Sequence, residues 1–229
     1  MIIKFKTLIK QLLINYIDYR LKIINKYNHE KLINKDFSII ASNCLGGFIS
    51  HWLDLEFKSP FINLFMDNND FLTAMENFDE FIEGPIIELK ENPHSYPIGI
   101  GVHGEKIHFS HYKDFTTALE IWNRRKKRIA RNKMVIMLSN LGCGIEVSGK
   151  LKNKIYNEEL EILKRFNNLT FKNKIAFSGF NFNLPNVVYI KGYSDLPGHH
   201  LFELNKKSFF KRYIDQFDYV AYLNSINLK

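Results

Sequence analysis

Apolar residues recur at three- and four-residue steps near the start of the chain, at Ile2, Phe5, Ile9, Leu12, Leu13, Tyr16, Ile17, Ile24 and Tyr27. That period predicts a helix over residues 2–27, with Lys and Arg on its other face. A polar connector follows, Asn28 to Asp36. From Phe37 the pattern changes to short apolar runs separated by helical stretches. Strands are predicted at Phe37–Ala41, Phe61–Met66, Pro85–Leu89, Met134–Leu138, Lys174–Phe177 and Val187–Ile190. Helices are predicted at Gly47–Glu56, Asn69–Ile82, Asp114–Arg131, Asn157–Leu169 and Phe209–Leu223. Ile98–Val102 and Lys106–Tyr112 flank "HGEK", a hairpin signal with glycine in the turn. Residues 178–206, rich in Asn, Gly and Pro, read as a long loop. Strands alternating with helices of this length predict an α/β layered mixed sheet, mostly parallel with a β-hairpin, flanked by helices. The N-terminal amphipathic helix and its connector (1–35) are expected to precede a single α/β domain (36–229).

Composition changes this picture little. At 229 residues and 45% hydrophobic, the chain can bury a large core. The formal net charge is +8. Eight basic residues stand against three acidic ones in the first 36 positions. The first helix therefore has two readings: packing on its own domain or a partner, or resting as a basic amphipathic helix on an anionic membrane surface. No run of about 18 apolar, uncharged residues predicts a transmembrane helix. Lysines interrupt any signal-like stretch. Cys44 and Cys143 form no dense disulfide framework, so a reduced, cytoplasmic setting is expected, with a peripheral place on the inner membrane face if the helix docks there. A single disulfide between the two stays open.

Candidate chemistry follows from where ligands collect in open α/β sheets, beyond the carboxyl ends of the strands. The first strand ends in Ser42-Asn43-Cys44-Leu45-Gly46-Gly47. Its glycines permit close backbone approach, and the next helix would aim free N–H groups at the same rim. Neither GxGxxG nor a Walker lysine is present. A strand-to-helix turn capped by Asn43 explains the stretch equally well. Cys44 is a candidate nucleophile at a helix N-terminus, with His51 or His111 as base, or else a buried inert thiol. Asp67, His111, Tyr112, Ser139, Asn140, Ser178 and Gly179 follow later strands. Strict alternation would put Ile107, Phe109 and His111 on one strand face, and His108, Ser110 and Tyr112 on the other.

Arg125 falls in the apolar stripe of its helix with Phe115, Ala118, Trp122 and Ile129. A buried guanidinium needs a partner. That partner is either a carboxylate such as Asp54 or Asp67, or an anionic ligand gripped by Arg125 and Arg128. Metal ligation is not indicated, because His103, His108, His111 and the adjacent His199-His200 match no ligand spacing. No cofactor is indicated. Only Asp67 stands out as a strand-end acid, so the paired carboxylates of glycoside hydrolysis are not found. The basic run Arg124 to Arg131 lacks interleaved aromatics, which argues against nucleic acid.

The stretches "SNCLGGFISHWLDLEFKSPFINLFM", "HFSHYKDFTTALEIWNRRKKRI" and "RYIDQFDYVAYLN" resemble an uncharacterised bacterial family, a domain of unknown function usually labelled exopolysaccharide biosynthesis protein. The likeness spans about Asp36 to Asn224. It rests on Asn43, Cys44, Gly46 and Gly47, on Ser59-Pro60, and on His111, Tyr112, Trp122, Arg125 and Arg128. The chain departs from the family with Leu45 where a Trp is common, and again at "SNLGCGIEVSGK". The resemblance implies a role in surface-glycan synthesis without fixing a reaction. The leading expectation is a transferase binding a nucleotide sugar or sugar phosphate. His111 and Cys44 would be catalytic, and Asn43, Gly46, Gly47, Asp67, Tyr112, Arg125 and Arg128 would bind the ligand. The alternative is a non-catalytic binding or scaffold protein of a glycan-assembly complex.

Overall fold

The computed structural model describes residues 2–139, 150–192, 201–205 and 211–226. Its elements are α1 (Ile2–Lys31), β1 (Ser38–Ala41), α2 (Leu45–Trp52), α3 (Asn68–Glu76), α4 (Phe78–Glu83), β2 (Ile87–Glu88), β3 (Ile98–Ile100), β4 (Lys106–His108), α5 (Phe115–Lys126), β5 (Met134–Ser139), α6 (Lys150–Asn168), β6 (Lys174–Ser178), β7 (Val187–Tyr189) and α7 (Tyr219–Ser225). Short 3-10 turns occupy Arg131–Lys133 and Tyr213–Gln216. The expected mixed α/β class is observed. β1, β5, β6 and β7 form a parallel sheet in that order, and β2, β3 and β4 form a separate antiparallel sheet.

The short apolar runs become parallel strands because both of their faces are covered. Ile39, Ala41, Val135, Met137, Ile175 and Phe177 pack with Leu45, Ile49, Tyr213 and Leu223 on one side. Ile40, Ile136, Leu138 and Ala176 pack with Phe71, Phe81, Trp122 and Phe166 on the other. The register pairs Ile39 with Val135 and Ser139 with Phe177, so β1, β5 and β6 end near one level.

Three predicted elements differ. Phe61–Met66 is a largely buried irregular segment, and among the described residues its β-bridge is Phe65–His108. Its residues resemble a strand because Phe61, Ile62, Leu64 and Met66 are all buried. Asn63 in left-handed backbone (φ 66°) breaks the extended path. The helix expected over Asn69–Ile82 is two helices, interrupted at Asn77. The strand expected over Lys106–Tyr112 stops at His108, and a turn closed by Tyr112 N–H to Phe109 O (3.0 Å) follows. His111 therefore leaves the strand, and the alternation predicted for it does not hold. The "HGEK" hairpin is present, with Gly104 at φ 89°. Asn140, Cys143, His199, His200 and the divergent stretch after Ser139 lie outside the described residues, as do parts of the expected 178–206 loop and the start of the predicted closing helix.

The double glycine has a packing role. A Cβ on Gly46 would sit 3.0 Å from Ile39 Cγ2 and 3.2 Å from Ala41 Cβ. One on Gly47 would sit 3.1 Å from Ile62 Cγ2. Helical glycine carries a propensity cost, which is offset here by close approach of α2 to β1 and to the 59–66 segment. Gly46→Val is expected to lower unfolding free energy by about 1–3 kcal/mol through overpacking. Urea denaturation checks this, and unchanged stability would refute the close-approach account.

Candidate functional site

Three chain segments meet at the carboxyl end of β1. Ser42 Oγ accepts from Ser139 N–H (3.2 Å), and Ser42 N–H donates to Met137 O (3.1 Å). Asn43 is buried. Its side-chain amide donates to Ser139 Oγ (2.7 Å), and its carbonyl oxygen accepts the Leu45 N–H (3.0 Å). Asn43 thus satisfies the first amide of α2 and ties β1 to β5, the turn-forming role open to it in the sequence. Among the described residues no hydrogen bond engages the next two amides of α2, those of Gly46 and Gly47.

Cys44 stands at the start of α2. Its Sγ lies 3.3 Å from His111 Nε2 and 3.8 Å from Leu64 O. The residues of this pair are 67 positions apart. Burial pushes the Cys44 thiol above its ordinary range. The direction is the reverse of the lowering expected at a helix N-terminus. The thiol is therefore the resting form, beside an exposed imidazole. His51, the other base considered, is exposed in the last turn of α2.

Tyr112 and Arg125 hold this arrangement from behind. Arg125 is buried, and its Nη1 donates to Ile62 O (3.0 Å) and to Tyr112 Oη (3.0 Å). The Tyr112 hydroxyl in turn donates to Ile62 O (3.3 Å). Burial raises the Tyr112 phenol, with the nearby Arg125 charge opposing it. The Arg125 guanidinium also lies over the Phe57 ring at 5.2 Å. Among the described residues it pairs with no carboxylate, neither Asp54 nor Asp67. Its partner is a buried backbone carbonyl, which would be costly to leave unmet. Arg128 pairs with Glu56 at the surface (3.1 Å). The spacing Trp-x-x-Arg-x-x-Arg therefore anchors loops. Trp122 packs on Phe61 (5.3 Å), Arg125 holds Ile62, and Arg128 holds Glu56.

A second cluster adjoins the first through the Leu64–Asp67 strip. Met66 N–H donates to Ser42 O (2.9 Å), while Phe65 and His108 exchange backbone bonds of 3.0 and 2.9 Å. The Phe65 and His108 rings stack at 4.3 Å, and Tyr96 Oη lies 3.4 Å from His108 Nδ1. His94 stacks on Tyr96 at 4.9 Å. Asp67 is exposed at the start of α3. Burial lowers the His108 imidazole, partly countered by Asp67, so it is held neutral. The sequence reading missed this cluster. "NPHSYP" reads as a polar loop, and only its density of ring side chains hints at a surface.

At the end of β6, the buried Ser178 hydroxyl donates to the buried Glu159 carboxylate and accepts the Phe180 N–H (2.8 Å). Among the described residues no three His, Cys, Asp or Glu side chains converge as a metal site. The Cys44 thiolate is expected to appear at higher pH in the folded chain than in the urea-unfolded chain. Iodoacetamide labelling against pH, read on the Cys44 peptide by mass spectrometry, checks this. A folded midpoint at or below the unfolded one would contradict it.

Comparison with known proteins places the chain. Residues 15–224 match a domain of unknown function, DUF1919. An uncharacterized protein of Haemophilus influenzae is 31% identical over 204 residues, covering 88% of this chain and 90% of that protein. Asn43, Cys44, His111 and Arg125 all fall inside the matched span. With nearly all of its length matched, the chain belongs to the DUF1919 family.

Proposed function

We propose that this chain is a cytoplasmic transferase of surface polysaccharide biosynthesis that takes a phosphate-bearing donor, a nucleotide sugar or sugar phosphate. The observation that carries this reading is the 3.3 Å approach of Cys44 Sγ to His111 Nε2 at the N-terminal end of α2. The Gly46 and Gly47 amides and the positive end of α2 would hold the donor phosphate. His111 would remove the proton of an acceptor hydroxyl as that oxygen bonds the donor's anomeric carbon. The bond from that carbon to the phosphate oxygen breaks, and the phosphate leaves with its electron pair onto the amides. The Cys44 thiol, kept protonated by burial, orients the imidazole rather than attacking. The Phe65–His108–Tyr96 surface offers apolar ring faces to a sugar, with Asp67 beside it to accept from hydroxyls. In this reading Asn43, Tyr112 and Arg125 position the site and do not touch the ligand, and Arg128 stays with Glu56.

One observation favours the second reading, a non-catalytic binding or scaffold protein of a glycan-assembly complex. Asn43 and Arg125 both direct their polar groups to protein partners. Thermal-shift screening of nucleotide sugars and sugar phosphates separates the two, run on wild type and His111→Ala. The transferase reading expects a stabilising donor for both proteins. Release of its phosphate leaving group should fall on the order of 10²–10⁴-fold in the variant. If no phosphate compound raises the Tm of the wild type, the donor site is lost. Binding with release unchanged by His111→Ala removes the catalytic role.

A further inference from the structure

The N-terminal helix presents two apolar faces. Ile17, Leu21, Ile24 and Asn28 lie toward the body of the protein and are half-buried. Three hydrogen bonds anchor the C-terminal part of α1. Asn28 Nδ2 donates to Tyr219 Oη (2.9 Å), His29 Nδ1 lies 2.6 Å from Leu53 O, and Arg212 Nη1 donates to Asn25 Oδ1 (3.0 Å). Leu32, just beyond, joins the core beside α2 and α7. A second stripe, flanked by exposed Leu8 and Leu13, runs along another side at three- and four-residue steps. Ile9, Leu12, Tyr16, Tyr19, Ile23 and Tyr27 are each 49–63% exposed. An exposed apolar stripe of this length marks an interaction surface.

We infer that this stripe rests on an anionic lipid surface, with α1 lying in the plane of the interface and the α/β body above it. Charge selects the occupant. Lys22 and Lys26 border the stripe on one side, and Arg20 and Lys31 on the other. Asp18 lies on the opposite face, and Glu30, in the stripe's last turn, pairs at the surface with Lys26 (4.0 Å), so the bordering charges still sum to a positive value. A second copy of α1 laid against the stripe would bring these basic borders together, like charge against like. An anionic headgroup layer complements them on both sides. Three tyrosines in the stripe suit a boundary that is apolar below and wet above. The geometry agrees, because the exposed stripe is centred roughly a third of a turn away from the half-buried side of the helix. At 30 residues α1 is about 45 Å long. No described helix is long and apolar enough to cross a membrane, so the contact is one of lying on the surface. The inference is independent of the chemistry assigned to Cys44 and His111.

The test uses the full chain and a Leu12→Glu/Ile23→Glu variant, whose positions are exposed and whose fold is checked by circular dichroism. Each is sedimented with phosphatidylcholine vesicles, with and without phosphatidylglycerol, at low and high salt, and its oligomeric state is measured by light scattering. The wild type should remain monomeric and bind only the phosphatidylglycerol vesicles. Binding should weaken as salt rises and fall by roughly tenfold or more in the variant. Absence of binding at low salt overturns the proposal, as does binding that the variant leaves unchanged. A dimer that the same two substitutions dissociate, with no vesicle binding, assigns the stripe to a second copy of the chain instead.

Discussion

Everything at the site depends on a backbone carbonyl, that of Ile62, being satisfied inside the protein. The segment Ser59 to Met66 runs through the core with the ladder bonds of a strand at Phe65 alone. Buried backbone of that kind must find partners elsewhere. Ser59 Oγ accepts the Phe61 N–H (3.1 Å), and Arg125 and Tyr112 together supply Ile62 O. The Leu64 carbonyl faces the Cys44 thiol, Met66 N–H goes to Ser42 O, and Phe65 pairs with His108. A segment with no regular structure of its own thereby joins the carboxyl end of the parallel sheet to the antiparallel one.

That joint explains how residues far apart in sequence become neighbours. Tyr112 is fixed through its hydroxyl by the same Arg125 that holds Ile62. The turn from Phe109 to Tyr112 then leaves the preceding residue, His111, facing Cys44. An arginine in an apolar stripe suggests a carboxylate partner or a ligand fork. Here the same charge positions the site from beneath, and its hydrogen bonds to a carbonyl and a phenol supply the compensation that a buried guanidinium requires. In the proposed reading, anion binding falls instead to the first amides of α2, and proton removal to the exposed His111.

Much of the fold was legible because it is written in local pattern. Runs such as "SIIA" and "MVIMLS" are apolar on both faces, as a covered parallel strand requires. Asp114 caps α5 as its position suggested, accepting the Thr117 N–H (2.8 Å). Phe61–Met66 misled because full burial looks the same in a strand and in a threaded loop, and the left-handed Asn63 is the only local mark against a strand. At the site, Asn43, Cys44, His111, Tyr112 and Arg125 were all singled out from the sequence, and the structure gathers them. Their division of labour was not legible. Whether Arg125 meets a carboxylate, a carbonyl or a ligand is decided by a loop more than sixty residues away. The His94–Tyr96–His108–Phe65 surface was missed for the same reason, since its rings come from three separate segments.

Native-state hydrogen exchange on Arg125→Met tests most directly whether this anchored segment joins the two sheets. With the Ile62 carbonyl deprived of its charged donor, a loss of about 1–3 kcal/mol is expected locally. The amides of Phe65, Met66 and His108 should then exchange roughly tenfold or more faster. Those of Val135 to Leu138 in β5 should keep the protection they have in the wild type. Unchanged exchange at Phe65, Met66 and His108, or an equal loss of protection across both sheets, would contradict the account.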